Sequence, residues 1–140
     1  MEFPKSTSRV PIIVDENLKQ KILEWEQKNI FYGAFPVVGD SMTCDDQKKT
    51  IPNGSKVLAY QLQIDFESGF YPWFEIPTNE PLLIMGTTSK GNDFCLCKTI
   101  FFLDSVNNMV SLRSYNPNYS DQIIPISYIK TLFKIELVIK

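Results

Sequence analysis

Histidine is absent from this 140-residue sequence. That absence excludes Ser-His-Asp and Cys-His catalysis and every histidine-ligated metal site. Any hydrolase here must draw its base from a carboxylate, a lysine or an amino terminus. Cysteine is scarce and odd in number: Cys44, Cys95 and Cys97. The Cys95-Leu96-Cys97 spacing on a strand points two thiols to one face, but no second pair completes a zinc site. Reduced, buried thiols are the expectation, with no metal and no cofactor. No apolar run approaches the ~20 residues of a membrane span. Met1 to Arg9 lacks the basic-then-apolar pattern of a signal peptide, so the expected location is cytoplasmic. A basic surplus is missing too. The net charge is −2 and Lys48-Lys49 is the only basic doublet. Without a basic stripe to displace phosphate counterions, no direct contact with nucleic acid is expected.

What is present suits one folded domain. Hydrophobic residues make up 44% and charged residues 21%, enough to bury a core without disulfide or metal staples. A short extended segment, Val10 to Val14, precedes a domain expected over residues 15–140. Asp15 can cap a helix running to about Asn29, in which Leu18, Ile22 and Trp25 share one face and Lys19, Gln20, Lys21, Glu24 and Lys28 face outward. Beyond it the pattern changes to short β-like runs between turn residues: Phe35–Val38, Ser55–Tyr60 after Pro52-Asn53-Gly54, Pro81–Gly86, Phe94–Leu103, Met109–Ser114 after Asn107-Asn108, and Thr131–Ile139. The fold class predicted is a compact, mainly β domain with one amphipathic N-terminal helix. Gln61 to Glu80 reads as neither helix nor strand. Its five aromatics, Phe66, Phe70, Tyr71, Trp73 and Phe74, either pack onto the domain or form a contact surface.

Two features carry chemistry. Val38-Gly39-Asp40-Ser41-Met42 places a serine in a glycine-containing turn straight after an apolar run. Such a turn exposes a hydroxyl at the edge of a rigid scaffold, and the next backbone N–H groups can point at the same space as oxyanion donors. Asp40 is read as a turn residue. Strand alternation then groups Phe94, Leu96, Lys98, Ile100 and Phe102 on one face. A lysine among apolar neighbours is either desolvated, which lowers its pKa and suits it to act as a base, or snorkels to water from a sheet edge.

The order of these parts, with Leu112-Arg113-Ser114-Tyr115-Asn116-Pro117-Asn118-Tyr119 after the lysine strand, resembles the LexA-like serine peptidases. These are the carboxy-terminal domains of LexA and phage repressors, and UmuD; signal peptidases share the fold. The resemblance runs from about Phe35 to Ile139. It implies a Ser-Lys dyad in which Ser41 attacks a peptide carbonyl and Lys98 takes its proton, with the backbone N–H groups of Ser41 and Met42 as oxyanion donors. The substrate would be a peptide in cis or in trans, in transcriptional regulation during a stress (SOS) or prophage response. The alternative is a regulatory module of the same fold that cleaves nothing. Homodimers paired through C-terminal strands are also implied, and the Phe133-Ile135-Leu137-Ile139 alternation offers an apolar face for that. The sequence departs from the family in two places. The Gln61–Glu80 segment lengthens the Ser41-to-Lys98 spacing. The Ala-Gly or Cys-Gly bond of self-cleaving members does not occur, Gly33-Ala34 having the reverse order. Self-cleavage within this chain is therefore not expected.

Overall fold

The computed structural model describes residues 16–68 and 70–139. The expected extended segment at 10–14 and the cap at Asp15 lie outside them. Helix α1 spans Glu16–Gln27. Leu18 and Trp25 are buried against Leu58, with Ile22, Ile30, Tyr32 and Tyr60 packed around them. Trp25 stacks on Tyr60 with ring centroids 4.7 Å apart. The helix stops short of its expected end because Asn29 takes a left-handed φ of 56°. Ile30 N–H then bonds the Trp25 carbonyl at 2.8 Å, and Asn29 N–H the Glu26 carbonyl at 3.3 Å. That Schellman closure satisfies two end carbonyls.

Seven strands follow among the described residues: β1 (Tyr32–Pro36), β2 (Lys56–Gln61), β3 (Pro81–Thr87), β4 (Asp93–Asp104), β5 (Met109–Arg113), β6 (Gln122–Pro125) and β7 (Ile129–Ile139). They form one curled antiparallel sheet in the order β1-β2-β7-β3-β4-β5-β6, so the domain is mainly β, as expected. β1 lies three residues earlier than the predicted Phe35–Val38. It pairs with β2 from Tyr32↔Tyr60 to Pro36↔Lys56, and Val38 is exposed in the loop beyond. β6 went unpredicted as a strand.

Both faces of the sheet's centre are buried. Leu82 and Ile84 enter one cluster with Ile100, Leu112 and Leu132. Leu83 enters a second with Met42, Val57 and Phe133. This double burial explains the unbroken apolar run of β3. Phe66 and Ile76 bury into the first cluster with Tyr71 and Trp73 packed against it, whereas Phe70 and Phe74 are exposed. The aromatic segment therefore packs onto the domain through Phe66, Tyr71 and Trp73 and leaves two rings exposed.

Two β-bulges overturn alternations read from the sequence. In the β4–β5 pair Ile100 faces Leu112 and Phe102 faces Ser111, leaving Phe101 unpaired. Phe102 thereby leaves the face of Ile100 and stands 56% exposed. In the β2–β7 pair Leu58 faces Leu137 and Ala59 faces Ile135, leaving Glu136 unpaired. Phe133, Ile135 and Val138 consequently pack with the second cluster, while Leu137 turns out and is 37% exposed. The continuous face expected from Phe133 to Ile139 is broken at Glu136. β7 also lies between β2 and β3, so both its backbone edges are taken.

Candidate active site around Ser41 and Lys98

Ser41 sits at the second position of a β-turn closed by Thr43 N–H on the Asp40 carbonyl at 3.0 Å. Gly39 before it has φ 93°, where a side chain would be strained, and its N–H is held by Asn53 Oδ1 at 2.9 Å. Met42 pins the turn from the other side: its side chain is fully buried in the second cluster, and its carbonyl accepts Ile51 N–H at 2.9 Å. Among the described residues neither Ser41 N–H nor Met42 N–H donates a hydrogen bond. The two donors expected to face an oxyanion are thus unengaged.

Lys98 lies on an interior strand, not at a sheet edge. Leu82 is its partner on β3, Leu96 and Ile100 flank it along β4, and it is 8% exposed. Burial holds its amine below the ordinary lysine value, offset in part by the neighbouring Cys97. Lys98 Nζ donates to Ser114 Oγ at 2.7 Å and stands 5.4 Å from the centre of the Tyr119 ring.

The segment from Ser114 to Tyr119 joins the two halves. Asn116 N–H bonds the Ser41 carbonyl at 2.8 Å, and its side-chain amide bonds the Asp40 carbonyl at 3.0 Å. Tyr115 N–H meets Met42 Sδ at 3.4 Å. Tyr119 hydroxyl donates to the Asp40 carboxylate, while the same ring covers Lys98. Asp40 therefore does more than turn the chain. Among the described residues no hydrogen bond joins Ser41 Oγ to Lys98 Nζ. Met42 points into the second cluster, whereas Lys98 shares its strand side with Leu96 and Ile100 of the first.

Comparison with family models, curated proteins and solved structures finds no match.

Ser114 went unassigned in the sequence because its partner depends on register. Counted back from Asp104↔Met109 without a bulge, Lys98 would face Tyr115. The bulge at Phe101 makes Thr99 face Arg113, which brings Ser114, just past β5, within reach of Lys98. Asn116 and Tyr119 carried a signal only through the resemblance. The thiols are less buried than expected. Cys95 is exposed, and Cys44 and Cys97 are half-buried, all three free. Burial pushes the Cys97 thiol up to about 12. No group of three or more histidine, cysteine, aspartate or glutamate side chains among the described residues is arranged to hold a metal ion. Nor is any described helix long and apolar enough to cross a membrane.

Proposed function

We propose that the chain is a Ser-Lys peptidase of the LexA-like type. The observation that carries this reading is a buried lysine amine whose charged form is disfavoured, held by Ser114 beneath the segment that grips the Ser41 turn. Neutral Lys98 would take the proton of Ser41 Oγ as that oxygen attacks a peptide carbonyl. The developing oxyanion would be held by the N–H groups of Ser41 and Met42. Protonated Lys98 would then give its proton to the leaving amine nitrogen as the C–N bond breaks, leaving an ester on Ser41 for water to hydrolyse. Ser114 would fix the amine's direction. The Ser41–Lys98 bond would form with substrate bound, since catalytic hydrogen bonds commonly tighten only in the complex. Three free thiols agree with a cytoplasmic setting.

The second reading is a regulatory module of the same type that cleaves nothing and pairs with a second copy. It is favoured by one observation: the Lys98 amine is committed to Ser114 and unbonded to Ser41. Incubating the chain with a peptide library at neutral and alkaline pH, with fragments read by mass spectrometry, separates the two. Cleavage that rises with pH and disappears in both Ser41→Ala and Lys98→Ala supports the peptidase. Cleavage surviving Lys98→Ala would refute the mechanism, and none at any pH would leave the non-cleaving module.

A further inference from the structure

Beside Ser114 a cavity of about 470 Å³ is lined by Lys49, Asn79, Tyr115 and Tyr119, with Arg113 and Asp121 at its wall. Its polar groups are unevenly satisfied. Arg113 and Asp121 neutralise each other through two parallel hydrogen bonds, Nε to Oδ1 at 3.1 Å and Nη2 to Oδ2 at 3.0 Å. Tyr119 spends its hydroxyl on Asp40. Lys49, in contrast, has no carboxylate partner among the described residues, its ammonium lying 5.1 Å from the centre of the Tyr115 ring. The Asn79 side-chain amide and the Tyr115 hydroxyl likewise make no hydrogen bond among the described residues. Three side chains able to donate, one of them charged, thus share one cavity; among the described residues its lining carboxylate Asp121 is paired with Arg113, and Glu80, whose charge reaches Tyr115, is paired with Lys134 at 3.1 Å. The complement is a group that only accepts and carries one negative charge. A carboxylate has that character, with about four lone-pair sites and no donor.

We propose that this cavity is a carboxylate subsite, held by Lys49 with Tyr115 and Asn79, one cross-strand pair from Lys98. It rests on the peptidase reading in taking its carboxylate from a peptide: an acidic side chain near the scissile bond, or a chain terminus. Tyr115 and Pro117 offer flat walls to the short stem of such a group.

Titration of the isotope-labelled full chain, followed by backbone amide resonances, tests this without any cleavage step. The probes are N-acetyl-glutamate amide, N-acetyl-alanine with its free carboxylate, and N-acetyl-glutamine amide. At least one acid is expected to shift the resonances of Lys49, Asn79 and Tyr115 and to bind about tenfold or more tighter than the glutamine probe. Which acid wins tells side chain from terminus. Lys49→Met, at an exposed position, should remove the discrimination while leaving resonances elsewhere in place. Equal affinity for all three probes, no shift at those residues, or discrimination surviving Lys49→Met would each overturn the subsite. Discrimination without any peptide cleavage would leave the subsite standing and remove only the peptidase.

Discussion

Lys98 on β4 reaches Ser114, the residue just past the end of β5, with Lys98 Nζ donating to Ser114 Oγ at 2.7 Å. Two buried polar groups so placed satisfy one another in surroundings where an unpaired amine would be costly. The site thus holds two serines, Ser41 on its turn and Ser114 on the amine, and mutation assigns their roles. Ser41→Ala should cut peptide cleavage by on the order of 10³-fold or more. Ser114→Ala should cut it by about 10²-fold through misdirection of the amine, with Ser114→Thr recovering part of the loss. The reverse ranking would make Ser114 the nucleophile.

Lys98 titrates in a way that stability should report. Its folded pKa lies below the unfolded value of 10.5, so between the two the unfolded chain binds more protons. Stability must therefore rise with pH through that window, and below it the penalty of charging the buried amine is present in full. Urea midpoints across the window should climb for the native chain, and Lys98→Met should flatten the climb. A native midpoint that falls or stays level there contradicts a depressed Lys98. Cleavage, needing the same neutral amine, should rise over the same range.

Met42 couples the Ser41 turn to the core. Its side chain is fully buried, and Met42→Ala should cost about 2–5 kcal/mol by denaturant unfolding. The damage should not stop at stability, because the turn holding Ser41 loses its anchor. Residual cleavage should fall even under conditions where the variant is fully folded, and unchanged cleavage per folded molecule would show that Met42 does not position Ser41.

Gly86 marks a close approach of two backbones. A Cβ built there would lie 1.9 Å from the Tyr128 carbonyl oxygen, where the β3–β7 register shifts between Met85 and Gly86. Backbone cannot step aside as a side-chain tip can. Gly86→Ala should destabilise by about 1–3 kcal/mol or more, and a melting temperature equal to the native one would mean the two strands part more readily than their packing suggests.

Legibility differed by the range of the interaction involved. The helix was readable from Leu18, Ile22 and Trp25 because a 3.6-residue period needs only near neighbours, and its end missed by two residues because Asn29 reads as helix until its φ is known. The turns at Pro52-Asn53-Gly54 and Asn107-Asn108 were readable from residues that tolerate positive φ. Simple alternation places Phe102 and Leu137 on faces they do not occupy, since a single unpaired residue at Phe101 or Glu136 reverses every side chain beyond it.

Composition and local pattern by themselves determined a histidine-free, mainly β domain with one amphipathic helix, and singled out Ser41 and Lys98. Those properties follow from chemistry carried by each residue and its near neighbours. The tertiary structure alone decided that Lys98 is interior, that its bond goes to Ser114, and that Asn116 and Tyr119 tie the Ser41 turn to the segment above it. Such pairings depend on strand order and on where bulges fall. Both are set by how two buried faces of one sheet fill, which no short stretch of chain encodes alone.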